Sequence, residues 1–162
     1  MAIRNILVEG DPALHKVCRP VTEFNERLWQ LLDDMAETLH ESGGVGLAGP
    51  QVGVLRRVFI MDMGDGAGVI ECINPKIIAR KGQHEVEEGC LSCPGEWGIV
   101  VRPKEAIMQA QNRKGETFTL KGDGMLAQCM CHENDHLDGI LFKQKVVCML
   151  TPEDMQSHRK KR

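Results

Sequence analysis

The chain has 162 residues, of which 42% are hydrophobic, and a formal net charge of −3. This length and composition are typical of one globular domain with a buried core. The small negative charge gives no electrostatic basis for binding nucleic acid or an anionic membrane. We expect no signal peptide and no membrane span, because no apolar run approaches roughly 18 residues. Seven cysteines, an odd number, favour reduced thiols in a cytoplasmic protein.

The first clear element is an amphipathic helix over residues 25–40. Its apolar side chains recur three and four positions apart, which places them on one helical face. These residues are Phe24, Leu28, Leu31, Leu32, Met35 and Leu39. Thr22 or Asn25 can cap its start, and the following Ser-Gly-Gly ends it. We interpret this helix as a packing element without chemistry of its own.

Residues 43–53 are unusually rich in glycine and contain Gln51 near their end. A phosphate-binding loop is disfavoured, because the stretch lacks the Gly-Lys-Ser/Thr ending and no strand pattern precedes it. Two interpretations remain. The stretch is either an ordinary turn after the helix, or an extended segment whose backbone approaches that of a substrate. In the second case Gln51 offers an amide beside the substrate.

The middle of the chain alternates between short apolar segments and turns. Extended structure is predicted for residues 58–61, 69–73, 76–79, 83–88, 99–102, 106–110 and 117–120. Asn74-Pro75 is expected to break the second and third of these segments apart, and residues 112–115 to form a hairpin loop. Short turns between strands predict antiparallel sheet. Two more short strands are expected at 140–142 and 146–148.

A second helix is predicted from about residue 124 to His136, with Asp123 as its cap and Asp138-Gly139 at its end. It carries His132-Glu133-x-x-His136, in which two imidazoles one turn apart can bind one metal ion. Glu133 is placed to act as a base on a nearby water. Met125, Gln128 and Cys129 share the face of His132 and should line the adjacent cavity. Chance matches to this motif occur, so the rest of the chain must supply a third ligand.

The end of the chain is predicted to form a short helix that starts at Thr151-Pro152. Residues 155–162 form a basic tail that we expect to be solvated and disordered, with a ribosome or RNA contact as the alternative. The predicted fold class is therefore α+β. Antiparallel β-sheets pack around a central metal-binding helix, with an N-terminal helix and a short C-terminal helix, in a single domain of residues 1–162.

Cysteine is a strong ligand for zinc and iron, so each of the seven thiols is a candidate third ligand. Cys129 and Cys131 are poorly oriented to join His132. Cys90 lies between extended segments, but Cys90-x-x-Cys93 also allows a structural zinc finger or a redox pair. The long spacing to the histidines disfavours the finger, and the lack of a βαβ pattern disfavours the redox pair.

Three segments together resemble the peptide deformylase family. They are GVGLAGPQ from Gly44 to Gln51, EGCLS around Cys90, and HENDH from His132 to His136. They occur in the family's order and spacing, and the resemblance covers nearly the whole chain. Three positions depart from the family pattern. Gly49 replaces an alanine, Cys131 replaces a glutamine, and Trp97 stands where many bacterial members carry a basic residue.

The resemblance implies an enzyme that removes the formyl group from the N-terminal methionine of nascent polypeptides and releases formate. Its metal ligands would be Cys90, His132 and His136. The family generally uses iron(II), and this ligand set also suits Zn²⁺, Ni²⁺ or Co²⁺. Glu133 would be the general base, and the Leu91 N–H and the Gln51 amide would stabilise the oxyanion.

The resemblance also implies a groove for the peptide. An extended peptide would add as a strand beside Gly44, Val45 and Gly46. The remaining candidate substrate-binding residues surround the metal and its apolar methionine pocket; they are Val86, Gly89, Met125, Gln128 and Cys129. A buried carboxylate next to the ligand loop, Glu88, is expected to pair with Arg102.

Further expectations concern partners and alternatives. The partners would be N-formylmethionyl nascent peptides and, transiently, the ribosome, and the enzyme would be a cytoplasmic monomer. One alternative is a deformylase-like protein that binds peptides without turnover. The other is a structural zinc module, which a chelator would unfold, or a thiol redox protein.

Overall fold

The computed structural model describes residues 2–154; the basic tail predicted at residues 155–162 lies outside the described residues. Helix α1 spans Glu26–Ser42. It begins at Asn25, whose side-chain oxygen accepts a hydrogen bond from the Leu28 N–H at 3.4 Å. It ends at Gly43, which adopts the left-handed conformation with φ of 74°. Both boundaries follow from the capping residues in the sequence.

Within residues 2–154, eight strands form two antiparallel sheets. The larger sheet has the order β1-β2-β3-β6-β7, and its strands are Gly46–Ala48, Val58–Met61, Ile70–Lys81, Glu105–Gln111 and Thr117–Asp123. The smaller sheet has the order β4-β5-β8, with strands His84–Cys90, Cys93–Arg102 and Val146–Met149. The part of the chain that the structure describes also contains three short 3₁₀ helices, Pro12–His15, Gly49–Val52 and Phe142–Gln144. The predicted α+β class with antiparallel sheets is confirmed.

Strand β3 corrects one prediction, because Asn74-Pro75 does not break it. The strand continues from Ile70 to Lys81 through an irregularity at which Asn74 has a φ of +51°. Asparagine tolerates this conformation better than most residues. Its side chain is held by Val21, whose N–H donates to Oδ1 at 2.8 Å and whose carbonyl accepts from Nδ2 at 2.9 Å. Hydrogen bonds to a distant segment therefore keep the strand continuous through Asn74-Pro75, the sequence that was expected to end it.

The prediction of a strand at residues 140–142 is also wrong. Leu141 ends an extended link and Phe142 begins the 3₁₀ helix Phe142–Gln144. Both side chains are buried in a cluster with Leu14, Cys93 and Val100. Three apolar residues in a row satisfy burial equally well in either conformation, so the pattern could not distinguish them. At the end of the chain, residues 152–154 are helical and begin the predicted C-terminal helix.

Helix α2, Gly124–Leu137, lies at the centre of the molecule, and ten of its fourteen residues are buried. Strand β2 shows how the layers are arranged. Phe59 and Met61 pack in the cluster that contains residues of α2, whereas Val58 and Ile60 pack with α1. The larger sheet therefore has one helix on each face. Among residues 2–154, no helix is both long enough and apolar enough to cross a membrane.

The N-terminal segment is attached to α1 through Asp34. The Ala2 N–H donates to its Oδ1 at 2.8 Å, and Arg4 and Gln30 donate to the same carboxylate. Burial alone would raise the pKa of Asp34, but these hydrogen bonds outweigh it and hold the pKa below its usual value.

We expect Asp34→Asn to lower the free energy of unfolding at neutral pH and to make that free energy vary less as the pH falls. A carboxylate with a depressed folded-state pKa stabilises the fold above its unfolded pKa of about 3.9. That contribution is lost as the pH falls through the folded-state value. Urea unfolding of both proteins from about pH 6 to about pH 2 measures this. A stability difference that stays constant over this range would contradict the assignment.

Candidate active site

Cys90, His132 and His136 meet between the smaller sheet and α2. Cys90 is the last residue of β4, and the two histidines lie one turn apart on α2. The Cys90 Sγ atom lies 3.4 Å from His136 Nε2, which lies 3.2 Å from His132 Nε2. One ligand atom from each residue falls within 4.8 Å of the others. Three ligands of a tetrahedral Zn²⁺-like ion would stand about 3.3–3.6 Å apart, so the cluster fits a metal.

Glu88 orients the first histidine. Its Oε2 lies 2.6 Å from His132 Nδ1, which leaves His132 Nε2 facing Cys90 and His136. Such a carboxylate fixes the ring and its tautomer in metal sites. Burial alone would raise the pKa of Glu88. The hydrogen bonds from His132 and Arg102 outweigh it and lower the pKa to about 2. Glu88 is therefore ionised at neutral pH.

Arg102 connects this carboxylate to α2. Its Nε donates to Glu88 Oε1 at 3.0 Å, which confirms the predicted pair, and its Nη1 donates to Asp135 at 2.8 Å. Only 3% of the Arg102 surface is exposed. Lys145 donates to the same Asp135 carboxylate at 3.0 Å. Neither Asp135 nor Lys145 was predicted from the sequence, although Asp135 lies within the histidine motif itself.

Gln128 also bonds to this region rather than standing free at the cavity rim. Its Nε2 donates to the Glu87 carbonyl at 3.0 Å and to Glu88 Oε1 at 3.2 Å. It therefore joins α2 to β4 directly beside the ligand cluster. The side chain still lines the cavity described below.

Glu133 is buried next to the cluster, with 3% of its surface exposed. Its Oε2 lies 3.9 Å from His132 Nε2, and its Oε1 has no hydrogen-bond partner within residues 2–154. A Cβ atom at Gly46 would lie 2.5 Å from Oε2, so only glycine leaves room for this carboxylate. Burial is the main cause that raises the pKa of Glu133 to about 7. A carboxylate of this kind can accept or donate a proton near neutral pH.

Gln51 is held with its amide NH₂ group directed at the cluster. The Ala48 N–H donates to Oε1 at 2.9 Å, which leaves Nε2 to donate to Ser92 Oγ at 3.2 Å. The same Nε2 lies 3.6 Å from Cys90 Sγ. Ser92, which the sequence analysis did not select, thus positions the amide. Leu91 lies in the turn between β4 and β5 and packs against Gly44.

A cavity of about 520 Å³ opens beside these residues. Nearly all the predicted site residues line it: Gly44, Val45, Gly46, Gln51, Gly89, Cys90, Leu91, Met125, Gln128, Cys129, His132 and Glu133. The structure does not bring Val86 to this cavity. Its side chain packs in the cluster of Leu14 and Phe142, four residues along β4 from Cys90. At about 3.4 Å per residue this separation is some 13 Å. Trp97 and Glu96 also line the cavity.

Both the sequence and the structure of this chain resemble those of one known family. The family model described as polypeptide deformylase matches residues 3–150. The chain belongs to the polypeptide deformylase family. The peptide deformylase of Acetivibrio thermocellus is 49% identical over 159 residues, which cover 98% of this chain and 92% of that protein. The peptide deformylase of Caldicellulosiruptor bescii is 47% identical over 159 residues, which cover 98% of this chain and 95% of that protein. A crystal structure of the Legionella pneumophila enzyme superposes with a TM-score of 0.87 at 42% identity, with 98% and 93% covered.

Two of the three departures from the deformylase pattern have a structural explanation. Cys131 is buried among the apolar residues beneath α2, with 5% of its surface exposed, and does not line the cavity. Its substitution therefore changes the core rather than the site. Gly49 begins the 3₁₀ helix that carries Gln51. A Cβ atom there would lie 2.7 Å from the Val54 carbonyl oxygen and 3.0 Å from that of Arg56.

We therefore expect Gly49→Ala, which restores the alanine of the deformylase signature, to destabilise this protein. The added methyl group must displace backbone, and overpacking of this kind costs about 1–3 kcal/mol. Chemical denaturation of the variant and the parent measures the change in the free energy of unfolding. Unchanged stability would mean that the turn at residues 49–56 accommodates a side chain without strain.

Proposed function

We propose that this deformylase hydrolyses the N-formyl group of peptides that begin with formylmethionine, and releases formate and a free amine. The observation that carries the proposal is the cluster of Cys90, His132 and His136 with the buried carboxylate of Glu133 beside it. All four residues lie at or behind the wall of one open cavity. A base next to a three-ligand metal site is the arrangement of metal-assisted hydrolysis.

Cys90, His132 and His136 would hold one divalent metal ion. A thiolate and two imidazoles suit iron(II), zinc, nickel and cobalt, and we propose iron(II) as the metal used in the cell. When bound, the ion would supply Lewis-acid activation of water and of the formyl oxygen. Glu88 would keep the His132 ring in the orientation that the ion requires, through its 2.6 Å contact with Nδ1.

The side chains of the cavity would perform the remaining chemistry. Glu133 would accept a proton from the attacking water and later deliver it to the amine nitrogen as the C–N bond breaks. The Leu91 backbone N–H and the Gln51 NH₂ group would donate hydrogen bonds to the oxygen that gains negative charge. Ser92 and Ala48 already hold Gln51 in this orientation. Such a preorganised donor is typically worth about 3–4 kcal/mol of the barrier.

The edge of the larger sheet would bind the peptide. Among the described residues, strand β1 pairs only with β2, so its other side would be open for an added strand. Gly44, Val45 and Gly46 lie along this edge and also line the cavity. Met125, Gln128 and Cys129 would surround the methionine side chain, and Gly89 would face the peptide from the opposite wall.

We further propose that the enzyme acts as a cytoplasmic monomer that contacts the ribosome only transiently. The cavity is complete within one chain, since every group assigned above comes from residues 44–136. Its substrate is a chain end that becomes accessible during synthesis, so the reaction requires the peptide rather than a stable complex. We propose no specific nucleic acid as a partner, because a net charge of −3 would not attract one.

Formate release from formyl-Met-Ala by protein loaded anaerobically with iron(II) tests the function. We expect turnover, its loss on chelation, and its return when metal is added back. Far-UV circular dichroism should change little, because two sheets and two helices form the core independently of the cluster. Binding of the peptide without formate release would favour a non-catalytic peptide-binding protein. Unfolding on chelation would favour a structural zinc module.

A further inference from the structure

Trp97 lies at the mouth of the cavity that contains the ligand cluster. It is on β5 and lies opposite Gly89 of β4. Gly89 immediately precedes Cys90, the proposed metal ligand. The Trp97 side chain is 41% exposed. A large apolar side chain that stays exposed in the wall of a cavity often marks a binding surface. The assignments made above leave Trp97 without a role.

Gly89 determines how the indole ring is presented. Three ring carbons, Cδ2, Cε3 and Cε2, lie 3.0, 3.0 and 3.1 Å from the point where a Cβ atom of Gly89 would stand. These nearly equal distances mean that Gly89 lies under the face of the ring and not at its edge. An aromatic ring that covers a glycine on the neighbouring strand is a recognised pairing in sheets. The exposed surface of Trp97 is therefore the opposite face of the indole.

The charges around this ring favour a cationic partner. Within residues 2–154, the lining of the cavity includes four glutamates and neither lysine nor arginine; the glutamates are Glu87, Glu88, Glu96 and Glu133. Arg102 pairs with Glu88 and Lys143 with Glu96, but both cations lie outside the lining. The face of an indole carries negative electrostatic potential and attracts a guanidinium group, whose flat shape also allows it to stack.

We propose that Trp97 is a specificity-determining residue whose exposed indole face stacks on an arginine side chain that follows the formylmethionine in the substrate. The inference rests on the proposed deformylase function. Val45, which precedes β1, and Trp97 line the same cavity, so a peptide extended along β1 would run beside the indole. Ammonium groups lack the planar stacking surface, so lysine is the matched substrate control.

The kinetic test compares formyl-Met-Arg-Ala with formyl-Met-Lys-Ala, and formyl-Met-Ala-Arg with formyl-Met-Ala-Lys. We expect the arginine peptide of one pair to have a kcat/KM about three- to tenfold higher, mainly through KM. Trp97→Ala should bring this ratio close to one, and Trp97→Phe should retain part of it. Trp29→Phe is the control, because Trp29 lies on α1, donates to the Arg113 carbonyl and does not line the cavity. This variant should keep the wild-type ratio.

A binding measurement gives a second readout. The chain has two tryptophans, so Trp29→Phe leaves Trp97 as the sole indole fluorophore. In this background, with Glu133→Gln to prevent turnover, the better arginine peptide should change the emission more than its lysine counterpart at equal occupancy. The inference would be overturned if the arginine and lysine peptides had equal kcat/KM in both wild-type pairs, or if they changed the emission equally. Failure of every formylated peptide to release formate would instead contradict the proposed function.

Discussion

Glu133→Gln is expected to reduce formate release by a factor of about 10²–10⁴, the usual contribution of a general base. The amide has nearly the shape of the carboxylate but cannot accept the proton of the attacking water. The environment of Glu133 supports this role, because its Oε1 has no partner within residues 2–154 and burial raises its pKa to about 7. A surface carboxylate with a pKa near 4 would be a much weaker base.

Metal content separates a catalytic effect from a structural one. Glu133 contributes no atom to the Cys90, His132 and His136 cluster, so the variant should bind metal as the parent does. Elemental analysis of both proteins, together with steady-state rates on formyl-Met-Ala, makes the comparison. Glu85→Gln serves as control, since it changes an exposed carboxylate on β4 and should leave the rate unaltered. A Glu133→Gln enzyme with parental metal content and a rate within threefold of the parent would refute the assignment.

Arg102→Met should destabilise the protein by about 3–5 kcal/mol, the typical cost of removing one partner from a buried ion pair. Arg102 is the cation between Glu88 and Asp135, and both carboxylates are buried. Without it, two negative charges remain close together with little access to water. Methionine fills a similar volume, so the lost charge rather than a cavity would dominate the change.

A second arginine in the same protein provides a matched control. Arg113 also contacts two carboxylates, Glu71 and Asp33, at hydrogen-bonding distances, but its side chain is 35% exposed. Solvent compensates the charges there, so Arg113→Met should cost no more than about 1 kcal/mol. Urea denaturation of both variants measures the two changes. Equal losses would show that burial does not set the strength of the Arg102 network.

Arg102→Met should also weaken metal binding. Glu88 holds the His132 ring through a 2.6 Å contact, and Arg102 holds Glu88. Loss of a group that supports a metal ligand in this way commonly lowers metal affinity by about 10- to 100-fold. Competition with a metallochromic chelator at neutral pH would detect such a change in the folded variant.

The elements that the sequence predicted best were those whose signals are local. Helix α1 was recognised from its apolar spacing and its caps, and α2 from its start after Asp123 and its end at Gly139. The placement of His132 and His136 side by side also follows from helical geometry alone, because four residues make about one turn. The two failed predictions, at Asn74 and Phe142, concern short segments where tertiary contacts outweigh local preference.

The membership of the cavity depended on longer distances in the chain. Val86 was a reasonable candidate by its residue type, yet it lies some 13 Å along β4 from Cys90 and does not line the cavity. Ser92 and Asp135 lie within the EGCLS and HENDH motifs but received no predicted role, although the structure uses one to hold Gln51 and the other to hold Arg102. Periodicity reports which face of an element is buried, but not which residue of another element lies opposite.

The sequence by itself determined that His132 and His136 share one helical face, since residues four apart lie together on a helix wherever it packs. It also narrowed the fold to antiparallel sheets around that helix. The residue pattern left seven thiols as candidates, and only the resemblance to deformylases pointed to Cys90. The tertiary structure brings Cys90 to the two histidines, although 42 residues and three strands separate it from His132. It likewise placed the indole of Trp97 over Gly89, a contact between strands that depends on their register. Such contacts arise from packing between distant segments, for which a local pattern carries no information.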